Sequence, residues 1–76
     1  MKDVLEYIAK ALVDNPDAVE VTVAEGDRGT VLELRVDPDD MGQVIGRGGR
    51  TARAIRNVMK AAAIKADARV RVDIVD

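Results

Sequence analysis

The chain has 76 residues, of which 47% are hydrophobic, and its 12 Lys or Arg and 14 Asp or Glu residues give a net charge of −2. It contains no Cys and no His, which excludes disulfides, thiolate zinc sites, cysteine nucleophiles and imidazole acid–base catalysis. Tyr7 is the single aromatic residue, so recognition of nucleobases by stacked aromatic rings is almost excluded.

The length predicts one small domain, residues 1–76. The N-terminus enters an amphipathic pattern directly, and no apolar run reaches the length of a signal peptide or a transmembrane helix. We therefore expect a cytoplasmic protein without a membrane partner.

The first half of the sequence predicts a helix followed by a β-hairpin. Asp3 is a suitable N-cap for a helix over about residues 4–14, which Asn15-Pro16 would end. The apolar side of this helix comprises Val4, Leu5, Ile8 and Leu12. Residues 19–24 and 30–36 alternate apolar and polar side chains on either side of a Gly-containing turn, which favours two antiparallel strands.

The second half predicts a short helix, a longer helix and a last strand. Asp37-Pro38 is typical of a helix start, and the glycines from Gly46 onward end that helix. A longer helix covers about residues 50–66, and an alternating strand follows over residues 69–75. The expected core residues of the longer helix are Ala52, Ile55, Val58, Met59, Ala62 and Ala66. The element order α-β-β-α-α-β predicts the α+β fold class.

Charge is distributed unevenly along the chain. Residues 1–40 contain four Lys or Arg against eleven Asp or Glu, a balance of −7, whereas residues 41–76 contain eight against three, a balance of +5. This asymmetry favours a basic face on an otherwise acidic body, as in nucleic-acid-binding proteins. Two solvated surfaces with a chance bias in charge are the alternative.

A glycine-rich loop separates the two later helices and reads Gly46-Arg47-Gly48-Gly49. Its glycines allow backbone angles and a close approach that a Cβ would forbid. The first amide groups of the next helix, at the positive end of its dipole, could bind a phosphodiester, and Arg47 and Arg50 would add charge. A tight turn that only serves the packing of two helices is the alternative.

Other phosphate-binding motifs do not fit this loop. A P-loop ends in Gly-Lys-Ser/Thr, whereas the sequence here is Gly49-Arg50-Thr51. A dinucleotide-binding fingerprint would need a third glycine at Thr51 and a strand ahead of the loop. Arg47-Gly48-Gly49 is a single RGG triplet, without the repetition of a disordered RNA-binding tail.

The stretch Val44 to Gly49, followed by Ile55, resembles the KH-domain signature, whose GXXG loop clamps single-stranded nucleic-acid backbone. The helix and strand ahead of the β-α-α-β core match the bacterial type II arrangement, and the size is similar to that of stand-alone bacterial KhpA proteins, which bind RNA. The resemblance implies a three-stranded mixed sheet with helices on one face. Residues 30–36 would be central, residues 19–24 antiparallel and residues 69–75 parallel to them. It also implies a homodimer, pairing with a second KH protein (KhpB, also called Jag) and a role in cell shape.

The resemblance also assigns site residues. Gly46, Arg47, Gly48 and Gly49 would clamp phosphates. Val44 and Ile45, with Ala52 and Ile55, would supply apolar packing beside the groove. Arg71 and Val72 of the last strand would face the bases and offer backbone hydrogen bonds to them.

Two features of the long helix lie outside its core side. A basic stripe, formed by Arg50, Arg53, Arg56 and Lys60, leads away from the glycine loop. We predict that Arg50 and Arg53 contact RNA backbone, whereas for Arg56 and Lys60 contact and plain solvation remain equally open. A seam of mostly small residues, formed by Ala54, Asn57, Ala61 and Ile64, could receive a second helix, although single exposed Ile residues are ordinary.

The sequence therefore predicts a protein that binds single-stranded RNA, as an RNA chaperone or post-transcriptional regulator, without a cofactor. A protein-interaction scaffold on a KH fold, with RNA binding secondary, is the alternative, based on the acidic first half and the seam. Asp39-Asp40 or Asp73 with Asp76 could hold a divalent ion. No base or nucleophile accompanies them in a recognisable constellation, so we predict that the protein is not an enzyme and has no metal site.

Overall fold

A computed structural model describes residues 1–75. Over this range the helices are α1 (Lys2–Leu12), α2 (Met41–Ile45) and α3 (Arg50–Lys65), and the strands are β1 (Glu20–Gly26), β2 (Gly29–Arg35) and β3 (Val70–Val75). Short 3-10 turns precede β1, α2 and α3. The predicted order of elements is confirmed, with boundaries that differ by at most two residues.

The three strands form one mixed sheet in the order β1-β2-β3. β1 and β2 pair antiparallel with Val23 opposite Leu32, whereas β2 and β3 pair parallel with Leu32 opposite Val72. Parallel neighbours require a crossover connection, and here α2 and α3 provide it. The central position of β2 and both predicted strand directions are confirmed.

The core lies between the sheet and the helices. Its largest fully buried side chains are Leu5, Leu32, Leu34, Val44 and Met59. On β2, buried Leu32 and Leu34 alternate with the partly exposed Val31 and Glu33, so one face of the sheet carries the helices and the other carries more polar residues.

Two local expectations for the helices were wrong. The N-cap of α1 is Met1, and Asp3 lies inside the first turn, where its charge still faces the positive end of the helix dipole. Val58 is 49% exposed because the buried side of α3 is narrow. That side comprises Ala52, Ile55, Met59 and Ala63, while Ala62 is half-buried and Ala66 is exposed. A sheet of three strands covers only this stripe of a helix.

Asp37 begins the segment that leads into α2, as predicted. Its carboxylate accepts hydrogen bonds from the amide N–H of Asp39 at 2.9 Å and from the Asn15 side chain at 3.1 Å. These two bonds lower the pKa of Asp37, the backbone bond having the larger effect. Pro38 is the first residue of the 3-10 turn that follows.

Asp40 has a different role from the one its position suggested. It is 3% exposed, and its carboxylate accepts hydrogen bonds from the backbone N–H groups of Asp14 at 3.3 Å and Asn15 at 3.1 Å. A buried carboxylate is tolerated only with such partners. Asp40 therefore connects the chain just after α1 to the start of α2.

Candidate nucleic-acid interface

The glycine loop reverses the chain between α2 and α3 through four residues. Three of them have backbone angles that favour glycine: φ/ψ is 75°/170° at Gly46, 65°/18° at Gly48 and 79°/14° at Gly49. The N–H of Gly49 donates to the carbonyl of Gly46 at 3.1 Å, which closes a single 3-10 turn. The loop is therefore a defined bend with left-handed residues, and α3 starts directly behind it.

The three glycines meet different surroundings. A Cβ at Gly46 would overlap the side chain of Thr51 and lie 2.8 Å from its amide nitrogen, whereas a Cβ at Gly48 or Gly49 would meet no atom within 4 Å. Gly46 is needed for the close packing of the loop on α3. Gly48 and Gly49 leave open space above the bend.

Some of the residues predicted to form the loop site are buried, and others are exposed. Val44 is fully buried and Ile45 is half-buried, so α2 is fixed to the core at the base of the loop. Arg47 and Gly48 are exposed and Gly49 is half-buried. The backbone at the tip, at Arg47 and Gly48, is thus accessible to a ligand.

The basic stripe continues from the loop along α3. Arg50, Arg53, Arg56 and Lys60 are all exposed. At 100° per residue, Arg53, Arg56 and Lys60 lie within an arc of about 60°. This arc faces the sheet edge, because the Nε of Arg56 donates to the carbonyl of Val72 in β3 at 3.3 Å.

A groove of about 410 Å³ lies between this flank of α3 and β3. Its lining includes Arg56, Lys60, Ile64, Arg69, Val70 and Val72. Val72 is 4% exposed and faces the core, whereas the side chain of Arg71 points to the opposite face of the sheet. There it pairs with Asp73 at 3.1 Å. Both Arg71 and Val72 therefore contribute to the lining of the groove, although the alternation of the strand directs the Arg71 side chain toward the face of the sheet away from the helices.

The model of the family described as KhpA/KhpB, KH domain, matches residues 2–74. The chain belongs to this family. The protein is 56% identical to "RNA-binding protein KhpA" of Clostridium acetobutylicum over 99% of this chain and 100% of the relative. It is 54% identical to the protein of the same name from Halalkalibacterium halodurans, over 100% of both chains. The corresponding protein of Streptomyces coelicolor is 53% identical over 100% of this chain and 92% of its own length.

Family membership confirms the KH resemblance that Val44 to Gly49 and Ile55 suggested. Sequence reasoning missed two groove residues of this KH domain. Arg56 was left undecided, and its bond to Val72 became apparent only in the structure. Arg69 was counted as a strand residue, but it precedes β3 and lines the groove. An alternating pattern predicts a strand, but it does not indicate that an arginine just before the strand lines a groove.

The seam of this KH domain is open to solvent. Ala54, Asn57 and Ala61 are exposed, and Ile64 is 71% exposed. Ile64 also contributes to the groove, so the seam and the groove meet near the C-terminal end of α3. A homodimer through this surface stays a prediction.

The carboxylates do not gather into a metal site in the part of the chain that the structure describes. Among residues 1–75, no group of three or more Asp or Glu side chains is placed to hold an ion. Asp40 is engaged by two backbone amides, and Asp76 lies outside the described residues. None of the helices described in residues 1–75 combines the length and the apolar character needed to cross a membrane.

Proposed function

We propose that this chain acts as a single KH domain over residues 1–76 that binds single-stranded RNA, with the glycine loop as the phosphate clamp. The left-handed bend at Gly48, which is exposed, and Gly49, which is half-buried, is the observation that supports the proposal most. Neither position has an atom within 4 Å of where a Cβ would be, so a phosphodiester can approach the backbone amides closely. Relatives matched along their whole length are named RNA-binding proteins.

The positive charge beside the glycine loop also supports RNA binding at this surface. Arg47 and Arg50 flank the bend, and Arg53 continues the positive charge along α3. KH loops clamp about four nucleotides, a length that the α3 flank can follow. Because few charges take part, we expect modest affinity with a log–log salt slope no steeper than about −3. This is a binding role without catalysis, suited to an RNA chaperone or a post-transcriptional regulator.

Titration of the ¹⁵N-labelled protein with an eight-nucleotide single-stranded RNA tests the proposed clamp. We expect the largest amide shifts at residues 46–50, because these groups would contact phosphate directly. The amides of Thr22 and Glu33, paired residues whose side chains lie on the face of the sheet opposite the helices, serve as internal controls and should not move. Unmoved signals at residues 46–50, with RNA in excess, would contradict the proposal.

A second proposal concerns self-association. The seam of Ala54, Asn57, Ala61 and Ile64 is wholly exposed and combines small residues with one large apolar side chain. Such a surface allows a second helix to approach closely. We propose that it pairs two copies of this chain and is also the surface available to a second KH protein of the KhpB kind.

The variant Ile64→Glu tests this pairing. It should convert a dimer into a monomer at micromolar concentration, because a charge would be buried between the paired seams. Analytical ultracentrifugation measures the mass. Tyr7→Glu is the matched control, since Tyr7 is another large exposed side chain, 77% exposed, but lies on α1. A dimer that survives Ile64→Glu would show that the seam is not the interface.

A further inference from the structure

A second concavity, the hairpin cleft, lies where the turn between β1 and β2 meets the start of β3. Its volume is about 580 Å³, and its lining includes Ala24, Arg28, Val31, Arg69 and Arg71. Ala24, Val31 and Arg71 lie opposite one another on the three strands, so their side chains share one face of the sheet. This is the face away from the helices, and the hairpin cleft therefore lies behind the sheet as seen from α3.

The hairpin cleft is continuous with the groove beside α3. Arg69, Val70 and Arg71 line both concavities, so the start of β3 forms the boundary between them. The glycine loop precedes α3, which has 16 residues and a length of about 24 Å, and Arg69 follows the end of this helix. A nucleic-acid strand that is bound at the loop and follows α3 therefore reaches Arg69 as it leaves the groove.

The fold fixes the position of Arg69 against the hairpin. The amide of Thr30 donates to the carbonyl of Arg69 at 2.9 Å. Gly29 has a φ of 117°, and a Cβ at this position would lie 2.6 Å from the Arg69 carbonyl oxygen and 2.7 Å from the Arg69 Cβ. Only a glycine allows this close approach. Arg69 is thus held beside the turn that carries Arg28.

Two guanidinium groups of the hairpin cleft are available to an anion. Arg28 and Arg69 are exposed, and within residues 1–75 neither forms an ion pair, whereas Arg71 is engaged in the ion pair described above. The cleft is also lined by Glu25 and Asp27. Alternation directs the Glu25 side chain to the helix-bearing face, and Asp27 lies in the turn. Guanidinium groups bind phosphate through paired hydrogen bonds.

We propose that Arg28 and Arg69 form a second phosphate site, so that an RNA strand longer than the groove bends round the start of β3 and lays its backbone in the hairpin cleft. This inference rests on the proposed RNA-binding function. The glycine loop and the hairpin cleft would then hold two segments of the same strand on opposite faces of the sheet. Phosphate contacts carry no base information, so the additional affinity is independent of sequence.

The test uses a labelled five-nucleotide RNA and the same RNA extended by four abasic ribose-phosphate units at its 5′ end or at its 3′ end. Abasic units add phosphates without adding bases or alternative binding registers. Fluorescence anisotropy gives the dissociation constants for the wild type, Arg28→Gln, Arg69→Gln and Arg35→Gln. Arg35→Gln is the matched control, because Arg35 is exposed on the same face of the sheet but lies at the far end of β2, outside the cleft. Circular dichroism verifies that each variant is folded.

We expect one of the two extensions to increase the affinity of the wild type roughly two- to tenfold, the effect of two exposed ion pairs. The log–log salt slope should become steeper by about 1.4, since two further phosphates are neutralised. Arg28→Gln and Arg69→Gln should each remove part of this gain, whereas Arg35→Gln should keep it. Arg28→Gln should bind the unextended RNA as the wild type does, because Arg28 does not line the groove.

The possible outcomes separate this inference from the proposed function. If neither extension increases affinity, or if the gain persists in both Arg28→Gln and Arg69→Gln, the second phosphate site is wrong and the clamp at the glycine loop is unaffected. If neither the five-nucleotide RNA nor its extended forms bind the wild type, both the RNA-binding proposal and this inference fail.

Discussion

Replacing Arg47 and Gly48 together with aspartate should abolish binding of a short single-stranded RNA while leaving the fold intact. The exchange makes the tip of the glycine loop three charge units more negative, where a phosphate is expected to dock. Close like charges near a protein surface repel by a few kcal/mol, so we expect affinity to fall at least about a hundredfold. Anisotropy with labelled eight-nucleotide RNA measures the loss.

The fold should tolerate this double variant. Arg47 is exposed, and Gly48 adopts φ/ψ of 65°/18°, a left-handed region where aspartate and asparagine are the most frequent side chains after glycine. No atom lies within 4 Å of a Cβ at Gly48. Thermal melting followed by circular dichroism should therefore change little.

A neutral pair, Arg47→Gln with Gly48→Asn, is the matched control. It copies the shape of the aspartate variant but removes only one positive charge, so binding should weaken moderately and the salt slope should become shallower by about 0.7. RNA affinity that persists in the aspartate variant would contradict the clamp. Loss of a protein partner with RNA binding intact would instead favour the scaffold function.

Gly46→Ala should destabilise the protein strongly. The φ/ψ of 75°/170° at Gly46 lies in a region that is almost restricted to glycine and costs about 1–3 kcal/mol for other residues. The added Cβ would also overlap Thr51 and lie 2.8 Å from its backbone nitrogen. We expect the free energy of unfolding to fall by about 2–4 kcal/mol, measured by urea denaturation.

Two further variants distinguish the cost of backbone strain at Gly46 from the cost of overlap with Thr51. Gly48→Ala introduces a positive φ for alanine without any close atom, so it should cost about 1 kcal/mol. Thr51→Ala in the Gly46→Ala background removes the overlapping hydroxyl and should restore part of the lost stability. Equal destabilisation by Gly46→Ala and Gly48→Ala would show that contact with Thr51 is unimportant.

Local patterns predicted most of the fold. Alternation over residues 19–24, 30–36 and 69–75 and the breaks at Asn15-Pro16 and Gly46 were sufficient to place every strand and helix in order. The glycine loop was also recognisable, because its positive-φ positions require glycine, and this requirement is visible in the sequence.

Contacts between distant residues could not be predicted in the same way. Arg56 and Val72 are 16 positions apart, and their bond depends on which flank of α3 faces the open edge of β3. Asp40 looked like an ordinary acid at a helix start, yet its acceptors are used by amides 25 and 26 positions away. Val58 was assigned to the core because helical periodicity indicates a side of the helix but not how wide the covering sheet is.

The hydrogen bonds of Asp40 limit which part of the domain can be removed or transferred into another protein. The unit from β2 to β3 contains the glycine loop and both helices beside it, but the two N–H donors to Asp40 come from Asp14 and Asn15. A transplant of that unit alone would remove both donors of the Asp40 carboxylate, and hydrogen bonds to a charged group contribute about 1.5–3 kcal/mol each. The segment that follows the first helix therefore supports the start of α2, and any engineered minimal version must supply a new pair of donors.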